Sequence, residues 1–175
     1  MIASNISPVE RGGDYREVTF RQMVKEDIIP FCTLYQRVFA QEPWKEKWTI
    51  EQIKTFITRH MRKRGFTGII ATVSHHTIGY LTGFRLRLIP SLFYMDQLFI
   101  DTDYRGLKIG KRLLAEAEKH LKSHGITCIF LLTKSQSDSE KFYIKNNYAP
   151  FLHAFRIKEK LIYFKHICPK NTGVL

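Results

Sequence analysis

From residue 15 onward, apolar positions recur in two rhythms, a period of two for strands and near 3.6 for helices, and each change of rhythm marks an element boundary. The sharpest change lies between residues 92 and 121. Leu92 to Ile100 is a dense run of aromatic and branched residues, as strands are, whereas Ile109, Leu113, Leu114, Ala117 and Leu121 recur on one helix face. The turn Arg105-Gly-Leu-Lys-Ile-Gly110 separates them. Upstream, residues 15–21 read as a first strand. Asp27 stands as N-cap of a helix running to about Phe39, with Ile28, Phe31, Leu34, Tyr35 and Val38 on one face and Pro30 tolerated in the first turn. Thr49-x-x-Gln52 is a capping box opening a second helix with Ile53, Phe56, Ile57 and Met61 inward and Gly65 at its stop. Residues 67–74 and 77–85 alternate and meet at His75-His76, which predicts an antiparallel hairpin. Beyond the central helix and Gly125, residues 128–133 form a short buried-type strand, so two parallel strands flank a helix. Ser137-x-x-Glu140 opens a short helix through Asn146, Asn147 suits the left-handed C′ position, and residues 151–157 and 161–167 close as a hairpin.

At 175 residues and 44% hydrophobic, the chain suffices for one domain with a substantial core. Residues 1–14, with Pro8, Gly12 and Gly13, carry no period and are expected as a flexible arm. Residues 15–168 form the domain and 169–175 a tail. Cys32, Cys128 and Cys168 are widely spaced, make no C-x-x-C and leave an odd thiol, so they read as reduced, intracellular packing residues. Neither a basic leader followed by an apolar run nor a bilayer-length apolar stretch is seen, which makes the cytoplasm the expected compartment, without a membrane partner. No Cys/His/Asp cluster has metal-ligand spacing, so no metal is expected, and His75 and His76 read as turn residues. Lys and Arg number 28 against 16 Asp and Glu, a net charge of +12 that suits an anionic partner: nucleic acid, an acidic membrane surface or a polyphosphate cofactor. The basic residues are spread over many elements without a nucleic-acid motif, which disfavours nucleic acid. The run Arg59-His-Met-Arg-Lys-Arg64 reads as the solvated last turns of the second helix, where its dipole favours cations.

The turn at 105–110 changes this picture. A helix start leaves backbone N–H groups unpaired, Gly106 and Gly110 let a phosphate approach, and Arg105, Lys108, Lys111 and Arg112 add positive charge. A pyrophosphate is the expected guest, with neither a P-loop nor a three-glycine dinucleotide turn present. These residues resemble the acetyl-CoA signature of the GNAT superfamily of N-acetyltransferases: Q or R, two variable residues, G, one variable residue, then G or A. Lys108 stands where the family usually has the first glycine. A lysine fits there on a right-handed helical backbone, whereas a left-handed one would cost about 1–2 kcal/mol. Phe142-Tyr143-x-x-x-Asn147-Tyr148 resembles a second family pattern, F-Y-x-x-x-G-F/Y, with Asn147 in place of glycine. The order β-α-α-β-β-β-α-β-α-β-β is also that of the family. The resemblance implies an α/β (α+β) GNAT fold, a mixed central sheet of about seven strands flanked by about four helices, with a splayed parallel pair at strands four and five.

The resemblance further implies an acyl-CoA-dependent N-acyltransferase that moves acetyl from acetyl-CoA, its cosubstrate, to a primary amine by direct attack in a ternary complex. Tyr143 falls on the family's general acid, and Asp96 on a position that often holds a basic carboxylate; a structural ion pair is the other reading of Asp96. For the cofactor it implies backbone contacts from Leu98, Phe99 and Ile100, with the Leu98 N–H toward the thioester oxygen. It adds the phosphate turn Arg105, Gly106, Leu107, Lys108, Ile109, Gly110 and Lys111, together with Gln136, in place of a common asparagine, and Ser139. Glu42, Pro43, Trp44 and Trp48 border the acceptor side in this fold. They read either as an aromatic-acidic wall for a cationic amine, Glu42, Trp44 and Asp96 then being acceptor contacts, or as a hydrophobic staple for the second helix. The acceptor, a small molecule or a protein amine, stays open, as does a homodimer. Two other classes stand beside this one: an idle CoA-binding regulatory protein of the same fold, and a basic nucleic-acid-binding module.

Overall fold

Every helix buries one face against a single mixed sheet. The computed structural model describes residues 17–151, 156–157 and 160–167; the expected arm, tail, residues 15–16 of the first strand, Cys168 and parts of the closing hairpin lie outside them. The elements are β1 Thr19–Gln22, α1 Ile28–Phe39, α2 Ile50–Met61, β2 Phe66–Val73, β3 His76–Arg85, β4 Leu92–Ile100, α3 Ile109–Ser123, β5 Cys128–Lys134, α4 Asp138–Lys145, β6 Ala149–Pro150, β7 Arg156–Ile157 and β8 Lys160–His166. The strands lie in the order β1-β2-β3-β4-β5-β8-β6, with β7 also on β8. Because β6 and β7 both pair β8 on the side away from β5, they are two pieces of one lane and the sheet has the expected seven lanes. Among the described strands only the β4–β5 pair is parallel.

Two cores result, one per sheet face. Against one face, α1 and α2 pack Phe31, Tyr35, Phe39, Ile53 and Ile57 onto Tyr80 and Phe99. Against the other, α3 sets Leu113, Leu114, Ala117 and Leu121 on Ile69, Leu81 and Phe93, with Tyr143 of α4 in the same cluster. These are the helical stripes read from the sequence, and burying them is what holds the layers together.

One irregularity decides the rest. In the β3–β4 register Thr82 faces Gln97 and Gly83 faces Met95, so Asp96 is an extra, unopposed residue: a β-bulge. Since side chains alternate, one extra residue inverts the parity of the strand beyond it. Phe93 and Met95 accordingly lie in the α3-side core, while beyond the bulge Leu98 and Ile100 take that side and Phe99 joins the α1–α2 core. Gly83 is required opposite the bulge, because a Cβ there would meet the Tyr94 carbonyl oxygen at 2.2 Å.

Local details differ from the reading above. The β2–β3 loop is Ser74-His75, one residue earlier than expected, with φ of 45° and 68° as a primed two-residue turn demands. Asp27 precedes α1 but makes no cap bond to it. Its carboxylate turns back to accept the Val24 N–H at 2.8 Å and a two-pronged contact from Arg21 at 2.7 and 2.8 Å. The Thr49 box is complete, with the Thr49 hydroxyl accepting the Gln52 N–H at 3.2 Å and Gln52 accepting that of Thr49 at 2.8 Å. In the Ser137 box the Glu140 carboxylate reaches one residue further, to the Gln136 N–H.

Burial disfavours the charge of Asp27, but the Arg21 fork and the Val24 amide outweigh it and hold its carboxyl below the usual range. A lowered folded value stabilises the protein above the unfolded value of about 3.9 and stops doing so as pH falls through the folded one. Asp27→Asn should therefore cost about 1–2 kcal/mol at pH 7, and the gap in melting temperature to the parent should close below about pH 4. A gap that stays constant in a melting series from pH 7 to pH 3 would refute the assignment.

Candidate active site

The β4–β5 ladder is short. It runs from Leu92 opposite Cys128 to Tyr94 opposite Phe130 and stops, while β4 stays on β3 to Ile100 and β5 stays on β8 to Lys134. The bulge at Asp96, which increases local twist, starts where the strands part. Tyr94 and Phe130 stack at the apex with ring centroids 4.9 Å apart. Beyond it, the β5-facing edge of β4 through Leu98, Phe99 and Ile100 has no partner strand among the described residues. Backbone N–H and C=O groups are obligatory pairers, so this edge suits an extended polar chain laid between the strands.

The turn that follows is held from α1. Arg37 contacts buried Asp101 at 3.0 Å and also Asp103, and Asp101 accepts the Asp103 N–H at 3.2 Å. Gly106 has φ of 80° with open space at its Cβ position, so conformation is what requires glycine there. Lys108 is the N-cap of α3 at φ 59° and ψ 10°, left-handed, the costly alternative rather than the helical one. Its carbonyl accepts the first helical bond, from Arg112 N–H at 3.1 Å, and the amides of the first helical turn have no intrahelical acceptor. The protein leaves room at Gly110, where a Cβ would meet only Ile100 and Phe142 at ordinary contact distance. Arg105, Leu107, Lys108 and Lys111 are exposed and Ile109 is buried. Arg105 stacks over the Trp44 ring at 5.6 Å. Arg112 is not part of this charge: it donates to the Val18 carbonyl at 3.2 Å and covers Phe20.

Tyr143 lies on the α3 side of the fork, 8% exposed, with its ring against Phe142 and Tyr148. Burial, and then the nearby Tyr94, push its phenol well above the ordinary tyrosine value. Gln136 sits before α4 at φ 60°, exposed, and Ser139 is half-buried in the first turn of that helix.

Asp96 faces α2. Its Oδ2 lies 3.4 Å from His60 Nε2, and that buried oxygen has no hydrogen-bond partner among the described residues. His60 Nδ1 is 2.8 Å from the Phe56 carbonyl oxygen. Burial and Asp96 together push the Tyr94 phenol up to about 12. Lys63 packs its ammonium 3.6 Å over Phe84. An open groove of about 550 Å³ runs along α2 to this point, lined by Trp48, Glu51, Gln52, Thr55, Phe56, Arg59, His60 and Lys63. The run 59–64 is therefore only in part a solvated face, because His60 and Lys63 turn inward while Arg59, Arg62 and Arg64 stay exposed.

The α1–α2 loop divides its residues between two places. Trp48 lines the groove and packs on Phe56, whereas Trp44 packs on Phe39 and Arg105, beside the 105–110 turn. Glu42 is exposed and paired with Lys45 at 2.5 Å. Sequence reasoning passed over His60, Tyr94 and Arg37. His60 was within reach, since it continues the stripe of Ile53, Phe56 and Ile57 by helical spacing; Arg37 and Tyr94 gain their roles only from the tertiary fold. Among the described residues no group of three or more His, Cys, Asp or Glu is placed to hold a metal ion, and no helix is long and apolar enough to cross a membrane.

Comparison with known proteins agrees with this geometry. A spermidine N(1)-acetyltransferase from Thermoplasma acidophilum is 27% identical over 119 residues, 67% of this chain and 72% of its own. Among solved structures, the PaiA N-acetyltransferase of the same organism, in complex with coenzyme A, superposes with a TM-score of 0.70 at 21% identity, covering 86% of this chain and 99% of that one. The ribosomal-protein-S18-alanine N-acetyltransferase of Escherichia coli gives 0.69 at 12% identity, with 90% and 99% covered. Residues 29–148 match the profile of the Acetyltransferase (GNAT) family, and the chain belongs to that family.

Proposed function

We propose that the protein transfers an acyl group, acetyl foremost, from acyl-CoA to a primary amine by direct attack in a ternary complex. The parting of β4 from β5 carries this reading. It leaves an unpaired strand edge for an extended pantetheine arm, with a buried phenol on one side and a buried carboxylate on the other. In this assignment Leu98, Phe99 and Ile100 pair with the arm, and the Leu98 N–H faces the oxygen on which charge develops. The turn from Arg105 through Gly106, Leu107, Lys108, Ile109 and Gly110 to Lys111 receives the diphosphate, and Gln136 and Ser139 stand at the mouth of α4. Asp96 takes the proton of the amine. Tyr143 serves the sulfur. A phenol raised this far above a thiol, which ionises near pH ~8.5, does not hand over its proton readily, so its service is a hydrogen bond to the departing thiolate. Burial also raises the Cys32 thiol, which speaks against an acyl-enzyme at that residue.

The acceptor enters from the α2 groove, with Trp48 on its wall and Trp44 and Glu42 at the outer lip toward the cofactor turn. The named relatives act on a polyamine and on a protein alanine, so both classes belong in the test. Thiol release from acetyl-CoA, measured with spermidine, amino acids, lysine and alanine-terminated peptides, should rise with at least one class. A protein that binds CoA yet releases thiol with none of them is the idle CoA-binding form instead.

Three further outcomes follow from the site. CoA should raise the melting temperature much more than adenosine without a diphosphate; equal shifts would remove the diphosphate from the turn. Lys108→Gly should relieve a left-handed residue and raise the ligand-free melting temperature by about 2–4 °C, for about 1 kcal/mol. If Lys108 contacts phosphate, the same variant should bind CoA more weakly and with less dependence on salt. Tyr143→Phe keeps the packing ring and removes only the hydroxyl. It should lower kcat about 10²-fold with CoA affinity and melting temperature near the parent's. Unchanged kcat under rate-limiting chemistry would leave the sulfur to water or another side chain.

A further inference from the structure

The reaction proposed above has a proton balance that Asp96 alone does not close. An acceptor arriving as R–NH3+ gives up two protons; one ends on the departing sulfur and one goes to solvent, so each turnover must export a proton. Asp96 is poorly placed to do this unaided, since its side chain is only 14% exposed and its Oδ2 is buried.

His60 offers the missing route. The Phe56 carbonyl at 2.8 Å can only accept, so Nδ1 carries a hydrogen and Nε2 is the nitrogen turned to Asp96, at 3.4 Å. With neither group protonated at that contact, a ring lone pair faces an anionic oxygen, and a single proton between them relieves the repulsion. The same imidazole, 15% exposed, lines the open α2 groove. Its Nε2 thus faces the carboxylate while the ring borders the open groove.

We propose, on the N-acyltransferase reading, that His60 and Asp96 act as one proton-handling pair, in which Asp96 takes the ammonium proton and His60 carries it out to the groove. The N–H bond breaks with its electron pair left on nitrogen, the proton goes to Asp96 Oδ2 and on to His60 Nε2, and the imidazolium so formed returns to the neutral ring by losing one proton to water in the groove. The nitrogen pair then forms the C–N bond to the thioester carbon, and the C–S bond breaks with its electrons on sulfur. The second amine proton ends on that sulfur. His60 acts through Asp96 and is a relay and positioning residue. The other ionisable groups facing the pair are Tyr94 of β4, Tyr35 of α1 with its hydroxyl toward Glu46, and Lys63 and Arg59 of α2. Both tyrosines are raised, so they stay protonated where a histidine ordinarily titrates.

The test is the pH–rate profile at saturating acetyl-CoA and acceptor. His60→Gln keeps a polar group but cannot titrate; it should lower kcat about 10²-fold and abolish the acidic limb, with the KM for acetyl-CoA near the parent's. Asp96→Asn should lose the same limb, and the double variant should be little worse than the worse single one, as expected of a unit. A variant at His60 that keeps the parent's limb overturns the proposal, whatever its stability. Ring 15N spectra of His60 in the parent and in Asp96→Asn test the pairing without turnover: a changed Nε2 signal is expected, and an unchanged one overturns it. A parent that turns over no amine sinks the acyltransferase reading, while those spectra still decide the pairing.

Discussion

A single unopposed residue in β4 sets the geometry on which everything else depends. A strand that kept perfect register would leave Asp96 in the ladder, and its alternation would run unbroken from Phe93 to Phe99. The bulge breaks both. It exchanges the faces of Leu98, Phe99 and Ile100, and it comes at the point where β4 leaves β5. The fold tolerates this because each side of the open slot is anchored elsewhere, β4 on β3 and β5 on β8. Backbone pairing is surrendered over a few residues, where a ligand can restore it.

The second recurring device is the left-handed residue. Lys108, Gln136 and Asn147, each a departure from the pattern of the family, all have positive φ, at 59°, 60° and 65°. The backbone is therefore left-handed at each of these three positions. Asparagine accepts this conformation with little strain; lysine and glutamine do so at a cost of about 1–2 kcal/mol each. The strain is met by fixed neighbours. The Gln136 amide is held by Glu140, itself tied to Tyr163, and the turn ahead of Lys108 is held by Arg37 through Asp101 and Asp103. Strain supported in this way suits the anion site proposed at the 105–110 turn.

What was legible in the sequence follows from the range over which each interaction acts. The helical stripes of α1, α2 and α3, the complete Thr49 box and the parallel pair around α3 rest on local periodicity and local caps, and they were readable as such. Asp27 does stand at the N-cap of α1, but its carboxylate makes no cap bond, because Arg21 on β1, which nothing local reveals, competes for it. The bulge was invisible, since Met95-Asp96-Gln97 looks like ordinary alternation until Gly83 on the facing strand is known. His60 was hidden in a run of cations, although its spacing from Phe56 marked it as an inward residue.

The electrostatics of the α2 groove connect these parts to the net charge of +12. A bulk excess of cations says little about an amine-binding site, and at first sight it opposes one. At the deep end of the groove, however, the cations do more than repel. An amine beside Lys63 and Arg59 is easier to deprotonate than one in water, because positive neighbours disfavour its charged form. In the proposed reaction Asp96 opposes them by drawing the ammonium in. Attack on a thioester needs the neutral amine, so capture by an anion and deprotonation among cations are successive demands on one small space. On the proposed function one carboxylate, held among Tyr94, His60 and Lys63, answers both demands.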